Sequence, residues 1–261
     1  MKKRRSYAPP IKLTGTVIIC LALFFSINYI WRGLKNLDYF KIKDIVVKNI
    51  QPEDYEVQAF SYFKGKNIFN INLKQESQVL LEYYPDCSAA QLVRVLPNRL
   101  IIFFIRRKPV ALVKLYKYFA LDEGGVLFYP QEQYQGLELP IILGLETKIF
   151  GPKPGKKYNN KAVLLVLNIL KEIKKNKFLK NYKVKKFDLA NIASASIFLA
   201  VTESSPITQE LEIILGEDKI KDKIDILSNL AEEERFNLTN IKYIDLRFKE
   251  PVIKFYDVKS K

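Results

Sequence analysis

The chain has 261 residues, 48% of them apolar, a formal charge of +15 and no histidine. That apolar fraction supports packed cores rather than disorder, and the missing histidine removes Ser-His-Asp and Cys-His catalysis and most transition-metal sites. The charge would suit anionic lipid, nucleic acid or an acidic protein, but the lysines are scattered along predicted helices and turns, as on a solvated surface, and no nucleic-acid module accompanies them.

Residues 1–12 form a short basic tail, Met1-Lys2-Lys3-Arg4-Arg5 with Lys12 at its end. Leu13 to Trp31 follows without a single charge. At about 1.5 Å per residue such a helix covers the ~30 Å hydrocarbon core of a bilayer, so residues 13–34 are predicted to be a transmembrane helix. A cleaved signal has a shorter apolar region and a small-x-small cleavage site. Here the run ends in Ser26-Ile27-Asn28-Tyr29-Ile30-Trp31, with Tyr29 and Trp31 as interfacial aromatics. The reading is an uncleaved single-pass anchor. Lys and Arg counts on its two sides tie, and the basic start favours a cytoplasmic N-terminus with the large portion outside.

Phe40 to Val47 alternates and is β-branched, so it predicts a strand. Pro52-Glu53-Asp54 opens a predicted helix through Phe63, stopped by Gly65. Lys74 to Tyr84 is a second helix ending at Pro85. Leu92 to Leu96 and Leu100 to Ile105 are strands joined at Pro97-Asn98, where proline followed by asparagine suits a type II turn. The run Leu100-Ile101-Ile102-Phe103-Phe104-Ile105 lacks alternation and predicts a strand covered on both faces. This β-α-α-β-β unit occupies 35–108.

Residues 109–261 form the second part. Pro109 to Leu115, Tyr118 to Asp122 and Val126 to Tyr129 predict short strands around the Gly124-Gly125 turn. Pro130 to Gly155 is Pro- and Gly-rich and predicts loops. Asn160 caps a helix through Asn176, with Val163, Val166, Leu167, Leu170 and Ile173 on one face. Strands follow at Val184 to Leu189, Ser196 to Thr202 and Glu210 to Leu215. A second helix runs from Asp218 to Glu233, with Ile220, Ile224, Leu227 and Leu230 inward. Ile241 to Phe248 and Val252 to Tyr256 are the last two strands. The fold class is α+β: a transmembrane helix, a β-α-α-β-β unit and a mixed sheet with two helices.

Cys20 lies in the anchor and cannot pair with Cys87, which reads as a small buried apolar residue. No Gly-rich phosphate loop is present, and no spacing singles out two carboxylates for acid–base work. Elimination leaves no catalytic residue, cofactor or metal ligand, and points to binding or scaffolding.

An N-terminal anchor, a β-α-α-β-β unit and a strand-rich part with two helices together resemble the bacterial cell-division family FtsQ, called DivIB in Gram-positive species. The likeness covers nearly the whole chain. Tyr39 to Val47 looks like the family's first strand. Gly65-Lys66-Asn67-Ile68-Phe69-Asn70-Ile71-Asn72-Leu73 looks like its G-x-N-hydrophobic-F stretch. Val93 to Leu100 with Arg106-Arg107-Lys108-Pro109-Val110-Ala111 resembles its hairpin and E-R-x-P-V-A ending, with Arg106 where Glu is usual. Leu139-Pro140-Ile141-Ile142 with Gly144, and Ile244-Asp245-Leu246-Arg247-Phe248, match later landmarks.

The resemblance implies a POTRA domain at 35–108 and a β domain at 109–261. It implies no catalysis. The family scaffolds the division machinery, binding the coiled-coil proteins FtsB (DivIC) and FtsL, which control the septal synthase pair FtsW and FtsI. The partner surface lies at the end of the β domain.

In Ile244 to Lys249, Ile244, Leu246 and Phe248 alternate with Asp245, Arg247 and Lys249, so one face is predicted core and the other charged. Val252 to Tyr256 has no later strand to cover it and is a candidate sheet edge for β-augmentation. The resemblance makes Arg247 and Phe248 partner-contacting positions and puts Phe255 and Tyr256 near another, and the edge-strand reading adds Val252 and Ile253. Arg247 is suited to a partner carboxylate. Taken residue by residue, Arg247 reads equally as a solvated charge and Phe248 as core. The residues also admit a POTRA-type translocation component that binds unfolded strands, which calls for repeated POTRA units or a barrel. They admit a membrane-tethered cell-wall enzyme too, which calls for a catalytic constellation.

Overall fold

The computed structural model describes residues 11–50, 57–131, 134, 136–200, 210–232 and 238–256. The chain divides into two compact units, Met1–Leu81 with Ala89–Ile105, and Glu82–Ser88 with Arg106–Lys261. The fold class is α+β, as the sequence predicts.

The first unit begins with helix α1, Ile11–Asn36. Its stretch Gly15–Asn36 is long and apolar enough to cross a membrane. α1 runs two residues further than predicted and stops where Leu37 turns extended. A 3-10 turn, Asp38–Phe40, takes the start of the predicted first strand, so β1 is Asp44–Lys48. The predicted helix start at Pro52-Glu53-Asp54 lies outside the described residues. Its remainder, Val57–Phe63, is a 3-10 helix rather than an α-helix. Three residues per turn align Phe60 with Phe63, and both are buried. Helix α2 follows at Leu73–Tyr83, then β2 at Cys87–Val95 and β3 at Arg99–Arg106.

β3 lies between β1 and β2, and β1 pairs with it in parallel. The unalternated run in β3 reflects this central position rather than cover on both faces. Leu100, Ile102 and Phe104 are fully buried, whereas Ile101 and Phe103 are half-buried and Ile105 is exposed. The connecting turn is not type II. Asn98 lacks the positive φ that turn requires, and the Leu96–Pro97 bond is cis. The Asn98 carbonyl instead accepts from the N–H groups of Lys43 (2.9 Å) and Asp44 (3.4 Å), which holds it to the entry of β1.

In the second unit, nine strands form one sheet among the described residues, in the order β12-β11-β10-β9-β8-β7-β4-β5-β6. Their ranges are β4 Pro109–Lys114, β5 Tyr118–Asp122, β6 Leu127–Phe128, β7 Ile141–Leu143, β8 Lys183–Asp188, β9 Ser196–Ala200, β10 Glu210–Ile214, β11 Ile241–Asp245 and β12 Val252–Phe255. β7 corrects the expectation of loops throughout 130–155. It pairs in parallel with both β4 and β8, so three residues at the sheet's middle join its two halves. Such a short apolar triplet gives too little pattern to stand out from a loop.

Helix α3 (Lys161–Lys175) starts where predicted, because the Asn160 side chain accepts from the Ala162 N–H at 2.8 Å. Val163, Val166 and Ile173 are buried, joined by Leu165 and Ile169, while Leu167 and Leu170 pack at the margin. Helix α4 is Ile220–Glu232, with Ile220, Ile224 and Leu227 in the core and Leu230 partly buried. The Asn176 carboxamide accepts from the Phe178 and Leu179 N–H groups and from Ser228 Oγ (3.1 Å), tying the end of α3 to α4.

Arg107, the second residue of the Arg106-Arg107-Lys108-Pro109 motif, is structural. Its guanidinium pairs with Asp122 at 2.6 Å, with both side chains nearly buried, and donates to the Pro85 carbonyl at 3.1 Å. Arg106, in the place where Glu is usual, donates to Gln131. Cys87 is buried, and burial first, then the Asp86 charge, pushes its thiol up to about 12. Both cysteines are free.

Candidate partner-binding edge

β11 ends at Asp245, earlier than the predicted Phe248, because the chain leaves the sheet there. The Leu246 N–H still reaches the Ile214 carbonyl (2.9 Å), and residues 247–250 then form bends. The expected alternation fails for this reason. Ile244 and Leu246 are core, but Phe248 is 61% exposed, and Asp245 is buried instead of facing out as a charge.

Asp245 and Arg247 make a local clamp. Arg247 Nη2 donates to Asp245 Oδ2 at 2.6 Å and Nε to Oδ1 at 2.9 Å, and the Arg247 backbone N–H reaches Oδ1 at 3.0 Å. The arginine hydrogen bond holds the Asp245 carboxyl below the usual carboxylate range, and the same bond raises Arg247. The guanidinium carbon lies 5.6 Å from the Phe248 ring centre, a cation–π contact. Arg247 is therefore already paired inside the unit, and its position fixes the ring of Phe248 beside it.

Two features of this corner escape a sequence reading. Gly216 has φ +69, and a Cβ there would meet the Ala193 carbonyl at 3.1 Å and Arg247 Cγ at 3.4 Å, so the bare backbone makes room for the arginine stem. Lys223 is buried and donates to the Leu215 carbonyl and to Asp218, each at 2.7 Å. That bond lowers Asp218. A lysine within an amphipathic helix reads as solvated until the neighbouring carbonyl is known.

Beyond the clamp, β12 is an end strand of the sheet among the described residues and pairs antiparallel with β11: Val252 opposite Asp245, Ile253 opposite Ile244, Phe255 opposite Ile241. The Tyr256 N–H is given inward, to the Asn240 carbonyl at 3.0 Å. Extended backbone alternates its hydrogen-bonding groups between edges, so Ile253 and Phe255 aim theirs at the open side. Ile253 packs on the core, while Val252, Phe255 and Tyr256 are exposed at 46%, 53% and 43%. Val252 and Tyr256 point to one face of the strand and Phe255 to the other, and Phe248 is exposed in the bend that precedes it. Lys242, Lys249, Lys254 and Glu250 are exposed around it. The sequence-selected residues thus lie along one edge: Arg247, Phe248 and Val252 near the end of β11, then Ile253, with Phe255 and Tyr256 beside its start. The arrangement can hydrogen-bond an added strand and favours acidic side chains on it. Among the described residues no group of three or more His, Cys, Asp or Glu could hold a metal ion.

Residues 111–247, more than half of the chain, match the family model described as Cell division protein FtsQ/DivIB, C-terminal. A Cell division protein FtsQ of Geotalea daltonii is 22% identical over 254 residues, covering 95% of this chain and 89% of the relative. Another Cell division protein FtsQ, of Syntrophotalea carbinolica, is 24% identical over 218 residues, covering 83% and 74%. With a membrane-anchoring helix at its start and the family's C-terminal region across its large sheet, the chain belongs to the FtsQ/DivIB family of cell division proteins.

Proposed function

We propose that the chain is a non-catalytic scaffold of the division septum, and that β12 receives a strand from an FtsB/DivIC-like coiled-coil partner, with FtsL alongside. Residues 35–108 serve as the POTRA domain and 109–261 as the β domain. The N-terminal tail is cytoplasmic and both domains lie outside the cytoplasmic membrane. Through these partners the chain links early division proteins to the FtsW/FtsI synthase. No cofactor enters the role.

The observation that carries this reading is the edge of β12, open among the described residues, with outward hydrogen-bonding groups at Ile253 and Phe255 beside exposed Phe248, Val252 and Tyr256. An exposed apolar edge strand is an aggregation hazard unless another chain covers it. Family membership supports a division role. The cationic surround favours a partner segment rich in Asp or Glu.

The test is binding of the full-length chain, in detergent or nanodiscs, to the cognate FtsB- and FtsL-like proteins, with Ile253→Pro alongside. Proline removes an outward donor without breaking an inward bond. Binding should weaken about two- to tenfold in a variant with an unchanged far-ultraviolet spectrum, the loss expected of one ordinary hydrogen bond of about 0.5–1.5 kcal/mol. Equal affinity would move the interface off β12. No binding by the folded wild type would turn the reading towards a translocation component.

A further inference from the structure

One residue joins helix α1 to the folded part of the first unit. α1 ends at Asn36, Leu37 is extended, and the 3-10 turn Asp38–Phe40 follows at once. A single residue reaches at most about 3.6 Å, whereas the headgroup layer is roughly 5–8 Å thick on each side. Arg32 to Asn36 add five helical residues, about 7.5 Å beyond Trp31, so the short tether brings the first unit to the outer margin of that layer, and ring contacts bring part of it to the depth of Trp31. Trp31, the chain's one tryptophan, marks the depth, since indole rings favour headgroup level. Its ring meets Phe69 of the first unit edge to face, with centroids 5.7 Å apart. Phe69 meets Phe40 at 5.1 Å, and Phe40 meets Tyr39 at 5.2 Å. Four rings thus run in contact from the anchor into the unit.

Asn67 fixes the angle. Its carboxamide nitrogen donates to the carbonyl of Leu34 (3.1 Å), in the last turn of α1, and to that of Leu37 (3.3 Å), which also accepts from the Phe40 N–H. Its carboxamide oxygen accepts from the Phe69 N–H at 3.0 Å, and its backbone bridges to Lys41. Asn67 is only 7% exposed. The surround is cationic. Arg32, Lys35, Lys41 and Lys66 are all exposed. Asp38 is the one acid between residues 29 and 43, it is paired with Lys41 at 2.7 Å, and residues 64–72 carry none.

We infer that α1 and the first unit form one body that seats Tyr39 and Phe69 among the lipid headgroups, where Arg32, Lys35 and Lys66 bind the phosphates of anionic phospholipid. The anchor is then a rigid mount rather than a flexible leash, and the first unit reads the membrane surface directly. The inference rests on α1 spanning the bilayer.

The test uses the full-length chain in nanodiscs of phosphatidylcholine, alone or mixed with phosphatidylglycerol, containing headgroup-spin-labelled lipid that quenches tryptophan. Native Trp31 is the depth standard. Tyr39→Trp in a Trp31→Phe background probes the seat. Ile105→Trp in that background is the distal control, six residues along β3 from the Arg99 that pairs with Asp44, about 20 Å at strand rise. Tyr39→Trp should be quenched about as strongly as native Trp31, and more strongly with phosphatidylglycerol. Lys66→Gln should cut the phosphatidylglycerol-dependent part by up to about fivefold, the share of one cation at an anionic surface. Quenching of Tyr39→Trp no greater than that of Ile105→Trp overturns the seat. Equal quenching in the two lipids overturns the anionic ligand. Absent quenching of native Trp31 overturns the span itself, and so separates that failure from the other two.

Discussion

Asp245 shows how a single carboxylate can set a corner of the fold and its response to acid. It is buried, accepts four hydrogen bonds from Arg247, and is held below the usual carboxylate range by them. A group with a depressed folded-state pKa stabilises the fold above its unfolded value of about 3.9, and that contribution is lost as pH falls through the lower, folded value. Asp245→Asn removes the titration. The wild type should therefore lose more stability than the variant as pH drops below about 4, while the variant should be the less stable at neutral pH. Urea midpoints across a pH series check this, and parallel curves would place the acid sensitivity elsewhere. Phe248 belongs to the same corner. Its exposure follows from the strand ending three residues early, which no residue-level hydropathy pattern announces.

At the scale of elements, β7 decides the sheet. Three residues hold β4 to β8, and Gly144 ends them with φ +78. A Cβ at Gly144 would sit 2.2 Å from the Ala190 backbone nitrogen. Lys148 closes the same crossing by donating to the carbonyls of Gly144 (2.9 Å), Leu189 (2.6 Å) and Ala190 (3.0 Å). Gly144→Ala combines a strained φ with overpacking against immovable backbone, so a loss of roughly 3–5 kcal/mol is expected. Thermal unfolding of the variant should show it. A loss under about 1 kcal/mol would mean that the crossing relaxes. The helices behave differently, since α3 is written locally: Asn160 caps it and a stripe of apolar residues faces the sheet.

Across the whole molecule, two units with separate sheets need not unfold together. The Arg107–Asp122 pair belongs to the second unit, and breaking a nearly buried pair by removing one partner costs about 3–5 kcal/mol. Asp122→Ala should therefore strip hydrogen-exchange protection from the strands β4 to β12 and leave β1 and β3 protected. Loss in both sheets at once would mean a single cooperative system. The net charge of +15 is a property at this scale too. Individual lysines make exposed ion pairs and cation–π contacts, such as Lys186 with Glu210 (2.6 Å) and over Phe198 (4.1 Å), each worth little alone, and pairing with carboxylates leaves the excess unchanged.

The sequence by itself determined what depends on neighbours along the chain. The anchor was legible from length and apolarity, α3 from its cap and stripe, α4 from its period, and most strands from β-branched runs. Val252 to Phe255 is legible as a strand, but its place at one end of the sheet among the described residues is a fact of topology, because chain order does not set sheet order. Only the tertiary structure decided what depends on distant partners. The 3-10 helix at Val57–Phe63 follows from where Phe60 and Phe63 must point, and β7 is a strand because β4 and β8 supply its hydrogen bonds. Asp245, Lys223 and Asn67 are polar residues whose burial makes sense only once Arg247, the Leu215 carbonyl and the end of α1 are beside them. Local sequence sets propensity, but a buried polar group is stabilised by a partner that sequence spacing does not name.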